Sequence, residues 1–228
     1  MKILVAAGPT REPIDPVRFI SNRSSGKMGY AIASAALKNG HAVLLVSGPV
    51  AIKPPAKAKL VRVVTAREML SAVKANLPKC DALIMAAAVS DWRPAKISKV
   101  KIKKHRMPRA LPLARNPDIL RIVAGEKGKR IFIGFAAETG HLRAEALRKL
   151  RAKNLDLIVA NDIRRTDAGF EADTNRGTFF FADGKQEKFP LMTKEKVAER
   201  IVAWLEKERR RRSINDRLKP ATVLRKIR

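Results

Sequence analysis

The run Ser21-Asn22-Arg23-Ser24-Ser25-Gly26-Lys27-Met28-Gly29 places hydroxyls, an amide and two glycines just ahead of an apolar helical repeat. A helix N-terminus offers unsatisfied backbone N–H groups and the positive end of a dipole, so it suits a phosphate or carboxylate. Ser24, Ser25, Gly26 and Lys27 are the candidate anion-binding residues. An ordinary serine-capped helix is the alternative reading, since serine commonly starts helices. The run departs from the G-x-x-x-x-G-K-[ST] phosphate loop: Lys27 is followed by Met28, with no hydroxyl to hold magnesium.

Three further groups could bind a polyanion. Ser90-Asp91-Trp92-Arg93-Pro94 follows the most apolar run in the chain, where the end of a strand would face a ligand crevice. There Asp91 could hold a magnesium ion or a ribose hydroxyl, or merely cap a turn. In Lys101-Ile102-Lys103-Lys104, alternate lysines of an extended segment would share a face and clamp a polyphosphate, although lysines also guard solvated edge strands. Asn116-Pro117-Asp118-Ile119 reads as a helix start with proline at the first position. Gly134 to Thr139 ends another strand, with Phe135 as a stacking platform or a core residue. Lys149 and Lys153, four apart on the next helix, share one face.

These residues need a frame, and the hydropathy pattern supplies one. Ile3–Ala7, Ala42–Val46, Leu60–Val64, Ala82–Val89, Ile131–Ala136 and Leu155–Ala160 read as buried strands. Between them lie helices over Gly26–Asn39, Ala66–Leu77 capped by Thr65, and His141–Lys153. The alternation predicts an α/β, Rossmann-like, mostly parallel sheet flanked by helices, with ligands at the carboxyl ends of the strands. Residues 8–25 read as one long loop. Thr178–Phe181 and Gln186–Phe189 flank Ala182-Asp183-Gly184-Lys185, a β-hairpin excursion. A closing helix runs from Thr193 to about Glu208, followed by a basic tail, 209–228, expected to be mobile. One domain over 1–208 is the expected organisation.

The chain has 228 residues, 46% of them hydrophobic, which excludes collagen-like and disordered classes. No apolar run approaches the ~20 residues that cross a bilayer. A lone cysteine, Cys80, fits a reducing, cytoplasmic setting. The formal charge of +28 is uneven: residues 51–130 carry +15 and residues 207–228 carry +8. The first excess could face an anionic small molecule, and the second could touch nucleic acid.

In order and spacing, the motifs resemble the phosphopantothenate–cysteine ligase (phosphopantothenoylcysteine synthetase) family. The resemblance rests on Ala7 to Arg18, Ile20 to Gly29, Ser47-Gly48-Pro49, Ala86 to Val89 with Asp91, and Lys101 to Lys104. It continues through Asn116 to Ile119, Gly134 to Thr139, Lys153 to Asp156 and Ala160-Asn161-Asp162. It implies that 4'-phosphopantothenate is activated by CTP as an acyl-cytidylate, then captured by cysteine with release of CMP. Matching positions give catalytic roles to Asn22 and Arg18, on the acyl side, and to Lys101, on the triphosphate. They assign CTP contacts to Ala86, Ala87, Asp91, Asn116, Pro117, Asp118, Ile119, Phe135, Lys149 and Lys153. Magnesium is expected with CTP, without an assigned protein ligand, and no flavin is expected. A homodimer built on about residues 163–190 is implied, as is a separate phosphopantothenoylcysteine decarboxylase acting downstream of a stand-alone ligase.

The rival reading is a basic nucleic-acid-binding protein on an α/β scaffold, its contact most plainly through the tail. Aromatic residues at only 5%, and the lack of RRM, KH or helix-turn-helix patterns, weigh against it.

Overall fold

The computed structural model describes residues 1–107, 109–138, 140–162 and 172–218. Its centre is an eight-stranded sheet in the order β12-β11-β10-β9-β6-β1-β4-β5. The first three strands by position from the right-hand edge are β5 (Lys59–Arg62), β4 (Ala42–Ser47) and β1 (Lys2–Ala7). Then come β6 (Ala82–Met85), β9 (Ile131–Glu138) and β10 (Leu157–Asp162), all parallel. The hairpin β11 (Thr174–Phe181) and β12 (Gln186–Thr193) adds two antiparallel strands at the other edge, as its turn signal predicts.

Apolar residues run consecutively through β1 because both its faces are covered. Ile3 through Ala7 are fully buried. Ile3, Val5 and Ala7 face α1 (Lys27–Lys38) and α5 (Lys194–Leu218). Leu4 and Ala6 face α2 (Ala66–Asn76), α3 (Ile119–Val123) and α4 (Leu142–Ala152). Each fully buried Val, Leu or Ile contributes on the order of 1.5–3 kcal/mol relative to exposure. Thr65 caps α2 as expected, its hydroxyl accepting from Glu68 N. The chain runs outward from β1 through β4 to β5 and then returns to β6 on β1's other side. That reversal opens a crevice at the carboxyl ends of β1 and β6.

Several expectations are corrected. Residues 8–25 are not one loop but contain a hairpin, β2 (Arg11–Pro13) with β3 (Phe19–Ser21). A matching hairpin, β7 (Trp92–Pro94) with β8 (Leu113–Arg115), follows β6. β6 itself stops at Met85, and Ala86–Val89 continue as irregular backbone, Ala88 N donating to Gly8 O. The lysine clamp is not a strand. Asp15 Oδ2 takes the Ile102 N–H and Arg18 donates to Ile102 O, so side chains use the groups that a ladder would need. A 3₁₀ turn then begins at Lys104.

The largest difference is at the C-terminus. α5 continues to Leu218 instead of ending near Glu208, so residues 209–218 are helical rather than a loose tail. Side chains there have partners: Arg209 with Asp81 at 3.4 Å, and Arg211 and Arg212 with Glu208 at 2.8 and 2.7 Å. Arg212 also reaches the buried Asp156 at 2.5 Å, which binds Lys127 at 2.8 Å and the Phe132 N–H at 2.7 Å. Charge pairing thus anchors a helix segment that has little apolar face. Residues 219–228 and the 163–171 part of the expected dimer region lie outside the described residues.

Candidate functional site

Asn22, Ser24, Gly26, Lys27, Ala86, Ala87 and Phe135 line one cavity of about 200 Å³ at the carboxyl ends of β1, β6 and β9. The sequence scatters them over more than a hundred positions; the strand reversal brings them together. Each has a local cause. Gly26 is the N-cap of α1 at φ 77°, a left-handed conformation that favours glycine. Being a glycine, this N-cap makes no side-chain hydrogen bond to the helix. That corrects the serine-cap alternative: Ser24 Oγ accepts from Gly26 N at 3.3 Å instead. The positive end of the α1 dipole faces the cavity, which Gly26, Lys27 and Met28 line. Gly29 lets α1 lie directly on β1, since a Cβ there would stand 2.4 Å from Ala7 Cβ.

Asn22 is held from the opposite wall. Its amide donates to Val89 O at 3.0 Å and more weakly to Ala88 O at 3.4 Å. β6 must therefore stop at Met85: Ala86–Val89 turn their backbone toward the cavity and toward Asn22. Phe135, in the middle of β9, is half-buried and packs against the core while lining the cavity.

Other candidates lie outside this cavity. Arg18 binds Ile102 O at 2.8 Å and Met107 Sδ at 2.8 Å, so it ties the β2–β3 turn to the lysine segment. Three backbone N–H groups, from Val17, Arg18 and Ile102, lower the pKa of Asp15 within that tie, against the opposing effect of its burial. Lys101 is exposed and does not line the cavity, and Ser25 and Asp91 do not line it either. Asn116 does not start a helix; its side chain donates to Ser90 O at 2.9 Å and its N–H to Asp91 O. Asp118 is the N-cap of α3, accepting from Arg121 N, with Pro117 just outside. Ile119 is buried in the core, 3% exposed. Lys153 pairs with Asp118 at 3.0 Å, and Lys149 pairs with Glu138 at 2.5 Å. Each lysine thus has a carboxylate partner rather than a wholly solvated face.

The cavity also contains residues that were not predicted: Asn161, Asn175 and Lys194. Asn161 is the penultimate residue of β10 and Lys194 begins α5, so a reading of element ends could have found them. Asn175 carries no comparable sequence signal. Lys194 is 3% exposed and donates to Ala172 O. Burial lowers its pKa, and the neighbouring Lys27 charge adds to that, with Asp173 opposing. Lys27 pairs with Asp173 at 2.5 Å, which holds that carboxyl below its ordinary pKa.

The wall is thus amide-rich and cationic. Among the described residues no three of His, Cys, Asp and Glu gather in a way that could hold a metal ion. Such a surface can position a phosphorylated acid and stabilise charge that develops on phosphorus.

Comparison with known proteins gives this frame a lineage. The model of the DNA/pantothenate metabolism flavoprotein C-terminal domain family matches residues 1–208. The chain belongs to that family. The coenzyme A biosynthesis bifunctional protein CoaBC of Bacillus subtilis (strain 168) is 45% identical over 215 residues, 92% of this chain and 53% of that protein. The CoaBC protein of Escherichia coli (strain K12) is 45% identical over 206 residues, 89% of this chain and 50% of that protein. The chain spans about half the length of the curated relatives it matches. Among solved structures, the C-terminal domain of a CoaBC protein superposes with a TM-score of 0.78 at 42% identity, covering 91% of this chain and 94% of that one. A Cab2 variant in complex with phosphopantothenate-cysteine superposes at 0.77 and 18% identity, covering 95% and 88%, and so shares the fold. Family membership extends to Glu208, whereas α5 continues ten residues further. Among the described residues, no helix is long and apolar enough to cross a membrane.

Proposed function

We propose that this chain joins 4'-phosphopantothenate to cysteine, using CTP, in coenzyme A biosynthesis. One observation carries the reading: Asn22, the N-terminus of α1, Ala86, Ala87 and Phe135 share one cavity in a member of this family. The cavity is smaller than the ~300–1,000 Å³ of typical small-molecule sites. It suits the reacting centre and one arm of the ligands, the rest extending along the strand ends.

The chemistry needs an activated acid. A carboxylate oxygen of 4'-phosphopantothenate attacks the α-phosphorus of CTP, and pyrophosphate leaves. The cysteine amine then attacks the acyl carbon, the carbon–oxygen bond breaks, and CMP departs with that oxygen. Asn22 holds the acyl-cytidylate at the carbonyl, and the α1 N–H groups and Lys27 offset the negative charge. Phe135, in the cavity wall, stacks on the base. Magnesium would accompany the triphosphate and offset its charge; the cavity wall offers amides rather than a carboxylate cage, so phosphate oxygens rather than protein side chains would hold the ion.

Arg18 and Lys101 do not reach this cavity within one chain, so the reading gives them their substrate contacts across a homodimer. The described part of β11–β12 exposes Leu191 at 41%, whereas Val17, Phe19, Trp92, Ile97 and Val100 form a more apolar surface on and near the two small hairpins. Sedimentation of a Phe19→Lys, Val100→Lys variant distinguishes these faces: dissociation assigns the second, and an unchanged dimer the first. Cytoplasmic placement and a decarboxylase acting on the product belong to the same reading.

The test is pyrophosphate release by the purified chain with each of the four nucleoside triphosphates, with and without 4'-phosphopantothenate. Release that requires the acid and is greatest with CTP supports the reading. Equal release without the acid overturns it.

A further inference from the structure

The contacts of the last turns of α5 follow the sheet from one side to the other. Glu206 Oε1 meets His41 Nε2 at 2.8 Å just before β4, and Arg209 meets Asp81 at 3.4 Å just before β6. Arg212 then reaches Arg130 O at 3.4 Å and Asp156 at 2.5 Å, just before β9 and β10. These strands are parallel, so the helix crosses the amino ends of the sheet, opposite the end that carries the cavity. The same contacts divide the charge. Glu206, Asp81, Asp156 and Glu208 each face a basic partner within the fold, so the acids of this end are engaged inward. Lys207, Arg210 and Arg211 stand at i, i+3 and i+4, share the outward face of α5 and are exposed. Lys2, whose N–H binds Asp81, and Lys79, in the 3₁₀ turn Leu77–Lys79 that Arg130 caps, are exposed at the same end.

We propose that the face formed by Lys2, Lys79, Lys207, Arg210 and Arg211 is an interaction surface for the phosphodiester backbone of double-stranded nucleic acid, bound without regard to sequence. The site is separate from the cavity and stands whether or not the ligase reading holds. Its composition selects the partner. A helix that lies on a membrane needs an apolar face, but Val197, Ile201 and Leu205 of α5 are buried in the core, and Ile214 is the one large apolar side chain that the described part of the extension exposes. The exposed aromatic residues Phe19 and Trp92 lie on the two small hairpins, so this face offers unpaired bases no stacking platform. What remains is a row of cations, which is all that a phosphate backbone requires. RNA and DNA duplexes share that backbone.

The experiment measures binding of the full chain to a fluorescent duplex of mixed sequence by anisotropy, DNA in one arm and RNA in the other, across roughly 50–200 mM salt. Each phosphate contacted contributes about −0.9 to the slope of log K against log salt, so three to five contacts give a slope of about −2.7 to −4.5. Substituting Lys79→Gln, Lys207→Gln and Arg210→Gln together should flatten that slope by about 2.7 and weaken binding at 0.1 M salt on the order of 100-fold. Lys53→Gln, Lys57→Gln and Arg67→Gln together remove the same charge from exposed positions around β5 and α2, and should leave affinity nearly unchanged. Thermal melts check that both variants are folded; Lys207→Gln with Arg210→Gln, flattening the slope by about 1.8, replaces the first set if it is not. The arm that binds tighter names the natural duplex, and equal binding supports a reading of the backbone alone. Equal losses in the two variants overturn the proposal, by assigning the binding to the charge of the whole chain. Displacement of the duplex by CTP overturns it as well, by placing the duplex at the cavity. So does the absence of binding at 50 mM salt, or tighter binding to phosphatidylserine vesicles than to either duplex.

Discussion

Replacing Gly29 by alanine moves the catalytic end of α1 without touching a proposed ligand contact. The added Cβ would lie 2.4 Å from Ala7 Cβ and 3.1 Å from Ala7 Cα, whereas ordinary contacts begin near 3.4 Å. Ala7 is fully buried at the end of β1, a strand paired on both sides, and cannot retreat. α1 must therefore shift outward by about 1 Å, and Gly26, Lys27 and the first-turn N–H groups shift with it. Overpacking of this kind costs about 1–3 kcal/mol. At about 2–4 °C per kcal/mol for a chain of this size, the melting temperature falls by roughly 2–12 °C. Misplacement by about 1 Å can cost on the order of 100-fold in rate. The assay is steady-state ligation well below the melting temperature, with Gly125→Ala as control, since a Cβ there meets nothing within 4 Å. A destabilised but fully active Gly29→Ala protein would refute the claim that the α1 N-terminus takes part in the chemistry.

Asn22→Asp should let acyl-cytidylate accumulate in quenched-flow samples while amide formation slows; unchanged turnover would sink the role given to Asn22. Asp156→Asn should destabilise the fold by about 3–5 kcal/mol in denaturant titrations, because the buried Lys127 loses its counter-charge while Arg212 keeps only Glu208; a loss under 1 kcal/mol would mean that the network is solvated. Truncation after Glu208 should lower stability by removing Arg209 and Arg212, while ligation persists at lower temperature. Acid should act on the same helix. Burial pushes the Glu208 pKa up, but hydrogen bonds from Arg211 and Arg212 outweigh it, so the folded value lies below the ordinary 4.5. This contribution is fully present above the unfolded pKa and fades as pH falls through the folded one; a Glu208→Gln variant should show a shallower loss of stability below about pH 4.5.

The parallel sheet was legible because apolar runs such as Ile3–Ala7 and Ile131–Ala136 cannot be solvated on either face. The α1 site was legible because serine and glycine before an apolar repeat have a mechanical meaning. The strand reading of Lys101 to Lys104 fails for a physical reason: alternating lysines suggest a strand face, but Asp15 and Arg18 capture the Ile102 backbone from 84 to 87 residues away. No local pattern encodes such a capture. The helical stretch beyond Glu208 was missed because its stability comes from ion pairs to Asp81 and Asp156 rather than from an apolar stripe. Asn175 was invisible for a similar reason, since only the pairing of β10 with β11 brings it to the cavity wall.

The most direct test of the acyl-cytidylate route follows one oxygen atom. 4'-Phosphopantothenate labelled with ¹⁸O in its carboxylate is turned over with CTP and cysteine, and the products are weighed by mass spectrometry. The account predicts one ¹⁸O in each CMP and none in pyrophosphate. Label in inorganic phosphate, or unlabelled CMP, would contradict it.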